Sequence, residues 1–140
     1  RLRPSGAEKS APVTMKLQPD KSSAPLVRAY GHDWLQIDEQ RFAQSVLVSS
    51  LPEWPARAWA PANFLQLQAH DLLELANSGA ELVILGTGLR QRFPPPAWLA
   101  PFARARVGLE SMDTAAACRT YNILAGEGRK VLAALLLETS

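Results

Sequence analysis

A chain of 140 residues that is 47% hydrophobic, 20% charged and 7% aromatic has the size and composition of one globular domain with a single core, not of a mostly disordered chain. The formal charge of +2 conceals a split, because residues 1–28 carry six basic side chains against two acidic ones and residues 29–140 carry nine against eleven. The folded part therefore lacks the basic excess that marks nucleic-acid binding, and no nucleic-acid partner is expected.

The longest apolar run free of charge and proline, Val131–Leu137, falls well short of the roughly 20 residues that cross a bilayer, so no membrane span is expected. Arg1–Lys9 is not followed by the apolar stretch of a secretory signal. Arg1 is not an initiator residue, whereas Met15 can be one. One cysteine, Cys118, excludes an internal disulfide and a multi-cysteine metal site. Two histidines and scattered carboxylates give no ligand spacing for zinc or a metal pair, and no cofactor is expected.

Residues 1–25 are rich in Ser, Pro, Lys and Ala without an apolar period and read as a disordered basic tail, leaving 26–140 as the domain. Leu26–Tyr30 and Trp34–Ile37 flank Gly31-His32-Asp33 as a hairpin that leaves His32 in solvent. Val46–Ser49 is a third strand. Residues 52–64 place Trp54, Trp59 and Phe64 among Pro52, Pro55 and Pro61, an ordered loop whose aromatics pack on the body. Asp71–Ala76 reads as a short helix stopped by Asn77-Ser78-Gly79. Glu81–Leu85 is a compact apolar run between Gly79 and Gly86, as expected of a strand buried on both faces. After the extended Pro94-Pro95-Pro96, Ala97–Ala103 can form about two helical turns that Pro101 shortens or bends. Arg106–Leu109 follows as a strand, Asp113–Ala125 as the strongest helix, and Lys130–Leu137 as a final strand. Strands alternating with helices in the second half predict an α/β fold with a partly parallel sheet.

Two segments invite chemistry. Gly86-Thr87-Gly88 follows a strand, where phosphate-binding turns occur, and Glu110 stands near the place of a ribose-binding acid. The third glycine position is Gln91, however, and Pro94–Pro96 prevents a helix from starting at the turn, so no helix N-terminus faces a pyrophosphate. The second segment, Glu110–Asn122, is the densest polar stretch. Asp113 or Thr114 can cap its helix, and Thr114, Cys118 and Asn122 share one face at four-residue spacing. Cys118 lies past the first turn, with Arg119 pointing roughly 100° away around the helix, so the thiol has no activating cation and reads as a packed, buried side chain. Arg119 can pair with Glu110 or hold backbone carbonyls. Trp54, Trp59 and Trp98 sit in proline-rich segments and are candidates to line a groove or an interface.

Glu81–Gly88, Glu110–Leu124 and Glu127-Gly128-Arg129 together resemble the DUF498 family, which includes a respiratory complex I assembly factor and uncharacterised bacterial and archaeal proteins. The resemblance spans about residues 26–138 and implies one layered α/β domain with a mixed central sheet, flanking helices and a small additional β layer. It also implies a non-catalytic binding or assembly module whose partner is a protein, such as a respiratory-complex subunit or assembly component. Gly86, Gly88, Glu110, Asp113, Thr114, Cys118, Arg119, Tyr121, Asn122, Glu127 and Arg129 are its characteristic positions, without assigned roles. Eleven arginines against four lysines, many alanines and no clear mitochondrial leader point to a bacterial cytoplasmic protein. The competing expectation is a small-molecule or nucleotide-binding protein or enzyme. It would use Gly86, Thr87, Gly88 and the Glu110–Asn122 segment, with Arg119 binding an anion and Cys118 or Glu110 reacting.

Overall fold

Residues 12–15 and 23–138 are described by a computed structural model of the chain. In chain order its strands are β1 (Val13–Thr14), β2 (Val27–Tyr30), β3 (Leu35–Ile37), β4 (Gln40–Phe42), β5 (Val46–Ser49), β6 (Arg57–Ala58), β7 (Leu82–Thr87), β8 (Gly108–Met112) and β9 (Val131–Leu136). The helices are α1 (Ala69–Ala76), α2 (Ala100–Ala105) and α3 (Thr114–Gly126). Short 3-10 turns stand at Phe64–Gln66 and Pro96–Leu99.

The apolar run 131–136 becomes the middle of the larger sheet. Its five strands run β6-β5-β9-β7-β8, with β9 antiparallel to β5 and parallel to β7, and β7 parallel to β8. A strand so placed is covered on both faces, which is why it carries no polar alternation. Its side chains divide by parity. Val131, Ala133 and Leu135 join one apolar cluster with Val46, Val48 and Ile84, while Leu132, Ala134 and Leu136 join the other with Leu47, Val83 and Leu85. On the first face lie α3 and a four-stranded antiparallel sheet, β1-β2-β3-β4; on the second lie α1, Trp59, Leu67 and Phe102 of α2. The layered mixed α/β domain with an extra β layer is thus observed.

The hairpin, the third strand and the buried strands stand where the pattern placed them. The elements that differ are short. Val13–Thr14, within the stretch read as a tail, pairs with Tyr30 and Ala29, and the Met15 N–H donates to the Arg28 carbonyl. The remainder of that tail, residues 1–11 and 16–22, lies outside the described residues. Helix α1 begins two residues before the expected Asp71, because the Asp71 carboxylate accepts the Gln68 N–H at 2.8 Å and completes a capping box there. The strand expected at Arg106–Leu109 starts at Gly108 instead. Arg106 is a left-handed helix end (φ 59°), and its N–H and that of Val107 close α2 against the Ala103 and Phe102 carbonyls.

Candidate functional site

The glycines of Gly86-Thr87-Gly88 serve the contact between β7 and α3. A Cβ on Gly86 would stand 3.0 Å from Thr114 Oγ1, 3.1 Å from Ala117 Cβ and 3.2 Å from Leu135 Cδ2, so only glycine lets the helix approach this closely. Gly88, at φ 98°, turns the chain out of the sheet. Its N–H donates to Thr114 Oγ1 at 2.9 Å and its carbonyl accepts the Thr114 N–H at 2.9 Å. The same hydroxyl donates to the Leu136 carbonyl at 2.5 Å, so one threonine ties together β7, β9 and the first turn of α3. Thr87 Oγ1 lies 2.6 Å from the Arg90 carbonyl and 3.1 Å from that of Met112, and accepts the Arg92 N–H at 3.1 Å. The polar groups of this turn are therefore paired within the protein rather than turned to an open phosphate cradle.

Helix α3 is satisfied at its start in the same way. Asp113 is its cap, accepting the Ala116 N–H at 2.8 Å. The face shared by Thr114, Cys118 and Asn122 points inward. Asn122 pairs with the main chain of Val27, accepting its N–H and donating to its carbonyl, both at 2.9 Å. Tyr121, fully buried, donates its hydroxyl to the Pro25 carbonyl at 2.7 Å. Burial, with Asp38 nearby, pushes the Tyr121 phenol up, which keeps it a donor. Cys118 is 0% exposed. Burial pushes its thiol well above the ordinary range; Glu138 and Asp113 add to this and Arg119 opposes it. Glu110 and Arg119 are both exposed and form no ion pair with each other among the described residues.

Of the candidate residues the fold thus brings Gly86, Thr87, Gly88, Asp113 and Thr114 together as a latch. It directs Cys118 and Asn122 to the small sheet, and leaves Glu110 and Arg119 apart at the surface. No group of His, Cys, Asp and Glu side chains arranged to hold a metal occurs among the described residues. No helix among them is long and apolar enough to cross a membrane.

Among the clefts formed by the described residues, two are lined by tryptophans. One, of about 450 Å³, holds Trp54, Pro55, Arg129 and Lys130 beside the end of α3. The Arg129 guanidinium is ion-paired with Glu81 there, and Ser50 Oγ donates to the Arg129 carbonyl at 2.6 Å. The other, of about 540 Å³, is lined by Gln44, Ser45, Trp59 and Asn63 with several alanines and Leu137. Ser45 sits just before β5 and its carbonyl accepts the Trp59 N–H at 2.7 Å, but its hydroxyl is buried without a partner. Trp54 and Trp59 were readable as groove candidates, whereas Ser45 offered no signal: it is one of many serines and becomes distinctive only through its burial.

The surface offers one more feature. Leu89 is 58% exposed and Phe93 74%, on the loop after β7 that also carries Arg90 and Arg92, and Leu65 on the facing 3-10 turn is 85% exposed. Arg92 bridges the two segments, its guanidinium 5.6 Å from the ring of Phe64.

The family model "Protein of unknown function (DUF498/DUF598)" matches residues 27–136. This chain belongs to the DUF498 family. A solved Mth938-like domain from Bordetella pertussis is 32% identical, covers 89% of this chain and 93% of its own, and superposes with a TM-score of 0.73. The NADH dehydrogenase [ubiquinone] 1 alpha subcomplex assembly factor 3 of Xenopus tropicalis is 26% identical over 139 residues, 97% of this chain and 74% of that protein. A stretch of 51 residues is 37% identical to the 13 kDa major membrane protein of Francisella tularensis subsp. holarctica; it makes up 36% of this chain and 42% of that protein, less than half its length.

Proposed function

We propose that this DUF498 chain is a non-catalytic binding module of the assembly-factor kind, acting in the bacterial cytoplasm through protein contacts. The observation that carries this is the exposed apolar set Leu65, Leu89 and Phe93, because large side chains left in water at 58–85% exposure lower the free energy when a partner covers them. The flanking Arg90 and Arg92 add the residue type most enriched, with aromatics, at interface centres. The polar segment Glu110–Asn122 supports the same reading from the other side, since its buried groups hold the fold together. Similarity to an assembly factor supplies the kind of partner: a subunit or assembly component of a respiratory complex.

The test is cross-linking from a photoreactive amino acid placed at Phe93 in cells of the source organism, compared with the same label at the exposed Glu127. A defined adduct from position 93 alone, lost when Leu65 and Leu89 are both changed to Ser in the labelled chain, is the expected result; truncating a central anchor typically weakens binding by tenfold or more. Equal, diffuse adducts from both positions would remove the basis for a protein partner at this face.

A further inference from the structure

The outermost strands are β1 and β4 in the smaller sheet and β6 and β8 in the larger. The first three are two or three residues long, so β8, with five, is the longest open edge among the described residues. Main-chain groups alternate along a strand between its two sides. Gly108 donates its N–H to the Glu81 carbonyl at 3.0 Å, and the Met112 carbonyl lies 3.1 Å from Thr87 Oγ1. Gly108, Glu110 and Met112 therefore turn their main-chain groups to β7, and Leu109 and Ser111 turn theirs outward. One outward group is taken, because the Ser111 carbonyl accepts the Gln91 side-chain N–H at 2.8 Å. The Leu109 N–H and carbonyl and the Ser111 N–H have no hydrogen-bond partner among the described residues. Such a row is a template for one more strand.

The surroundings of this edge are basic. Arg90 and Arg92 flank Gln91, and Arg104 and Arg106 stand at the end of α2 just before β8. None of the four is in an ion pair among the described residues. Glu110 is the only acidic residue on the strand. A second copy of this chain would bring the same arginines against one another, so like charges oppose self-pairing, whereas an acidic segment is drawn to all four.

We propose that β8 takes up an added strand from the partner, an extended acidic segment that bonds main chain to main chain with Leu109 and Ser111 while its carboxylates meet Arg90, Arg92, Arg104 and Arg106. This rests on the reading that the chain acts through protein contacts, and it adds the chemistry of the segment contacted. The main-chain bonds hold any extended peptide, and the arginines select an acidic one.

The probe is a capped peptide of alternating glutamate and valine, with the lysine–valine peptide as control, added at low salt to the isotope-labelled full chain. The expected result is saturable binding of the glutamate peptide alone, with amide exchange slowed about tenfold or more at Leu109 and Ser111 and far less at Glu110, which already faces β7. Ser111→Pro removes an outward donor where an edge strand tolerates proline, and is expected to weaken binding about tenfold. Gln91→Ala frees the Ser111 carbonyl and is expected to tighten binding about fivefold, a gain that no loss of fold imitates. Absence of binding, equal binding of the two peptides, or unchanged affinity in Gln91→Ala each overturns the proposal. Shifts confined to Leu89–Phe93, without slowed exchange at Leu109 and Ser111, overturn it too, while leaving that loop as a contact surface. Slowed exchange at Leu109 and Ser111 that grows with protein concentration alone overturns it in favour of a second copy.

Discussion

Thr114 and Cys118 lie one helical turn apart and show how one face of α3 can look chemical and act mechanically. The Thr114 hydroxyl makes two hydrogen bonds, accepting the Gly88 N–H and donating to the Leu136 carbonyl. Cys118, one turn on, sits in apolar packing where a thiolate would be desolvated, hence the upward push on its pKa. Native protein at neutral pH is expected to react slowly with a thiol reagent, at a rate that follows unfolding, and Cys118→Ala to cost on the order of 1 kcal/mol from a small lost volume. Modification within seconds, measured against a free thiol, would show that the side chain reaches solvent.

Among the elements, α3 joins the two sheets, and its hydrogen bonds toward the smaller one come from Tyr121, to Pro25 just before β2, and from Asn122. Asn122 mimics a strand by closing a two-way pair with Val27 beside the irregularity between Val27 and Ala29, where the β2–β3 ladder shifts register. Asn122→Ala is expected to cost about 2 kcal/mol, since both Val27 groups lose their partners. Hydrogen exchange should show protection falling in β2 and β3 more than in β7 and β9; uniform loss across both sheets would mean that the small sheet does not open on its own.

The sequence was legible wherever a long apolar period or a strong cap left a mark: Glu81–Leu85, Val131–Leu136 and the helix after Asp113 needed no tertiary information. It was silent at β4 and β6, whose three and two residues are mostly exposed and too short for a period to show. The polar cluster at Glu110–Asn122 was legible as a cluster, but its purpose was not. A threonine that closes a strand turn and one that holds a phosphate have the same spelling, and only the three-dimensional partners separate them.

At the scale of the whole molecule, charge is carried unevenly into the interior. Glu138, just beyond β9, is partly buried, and burial raises its carboxyl pKa; His32 opposes the shift and Asp113 adds to it. A raised carboxyl favours folding fully below the unfolded pKa and progressively less as pH climbs through the folded one. Glu138→Gln should therefore be the more stable protein near neutral pH, with the difference closing below about pH 4, where both states of the parent hold the proton. Melting curves across that range decide it, and a gap that does not change with pH would mean that Glu138 contributes by packing.

The position of β9 in the sheet has a consequence for how the chain comes off the ribosome. The strand that joins β5 to β7 is the last of the described strands to be synthesised, so until it emerges nothing in the sheet connects β5-β6 to β7-β8. Until then the β5 and β7 edges that face β9 lack their hydrogen-bonding partner, the condition under which nascent chains recruit chaperones or pair with each other. Insertion of these six residues between the β5 and β7 edges is what makes the five strands one continuous sheet.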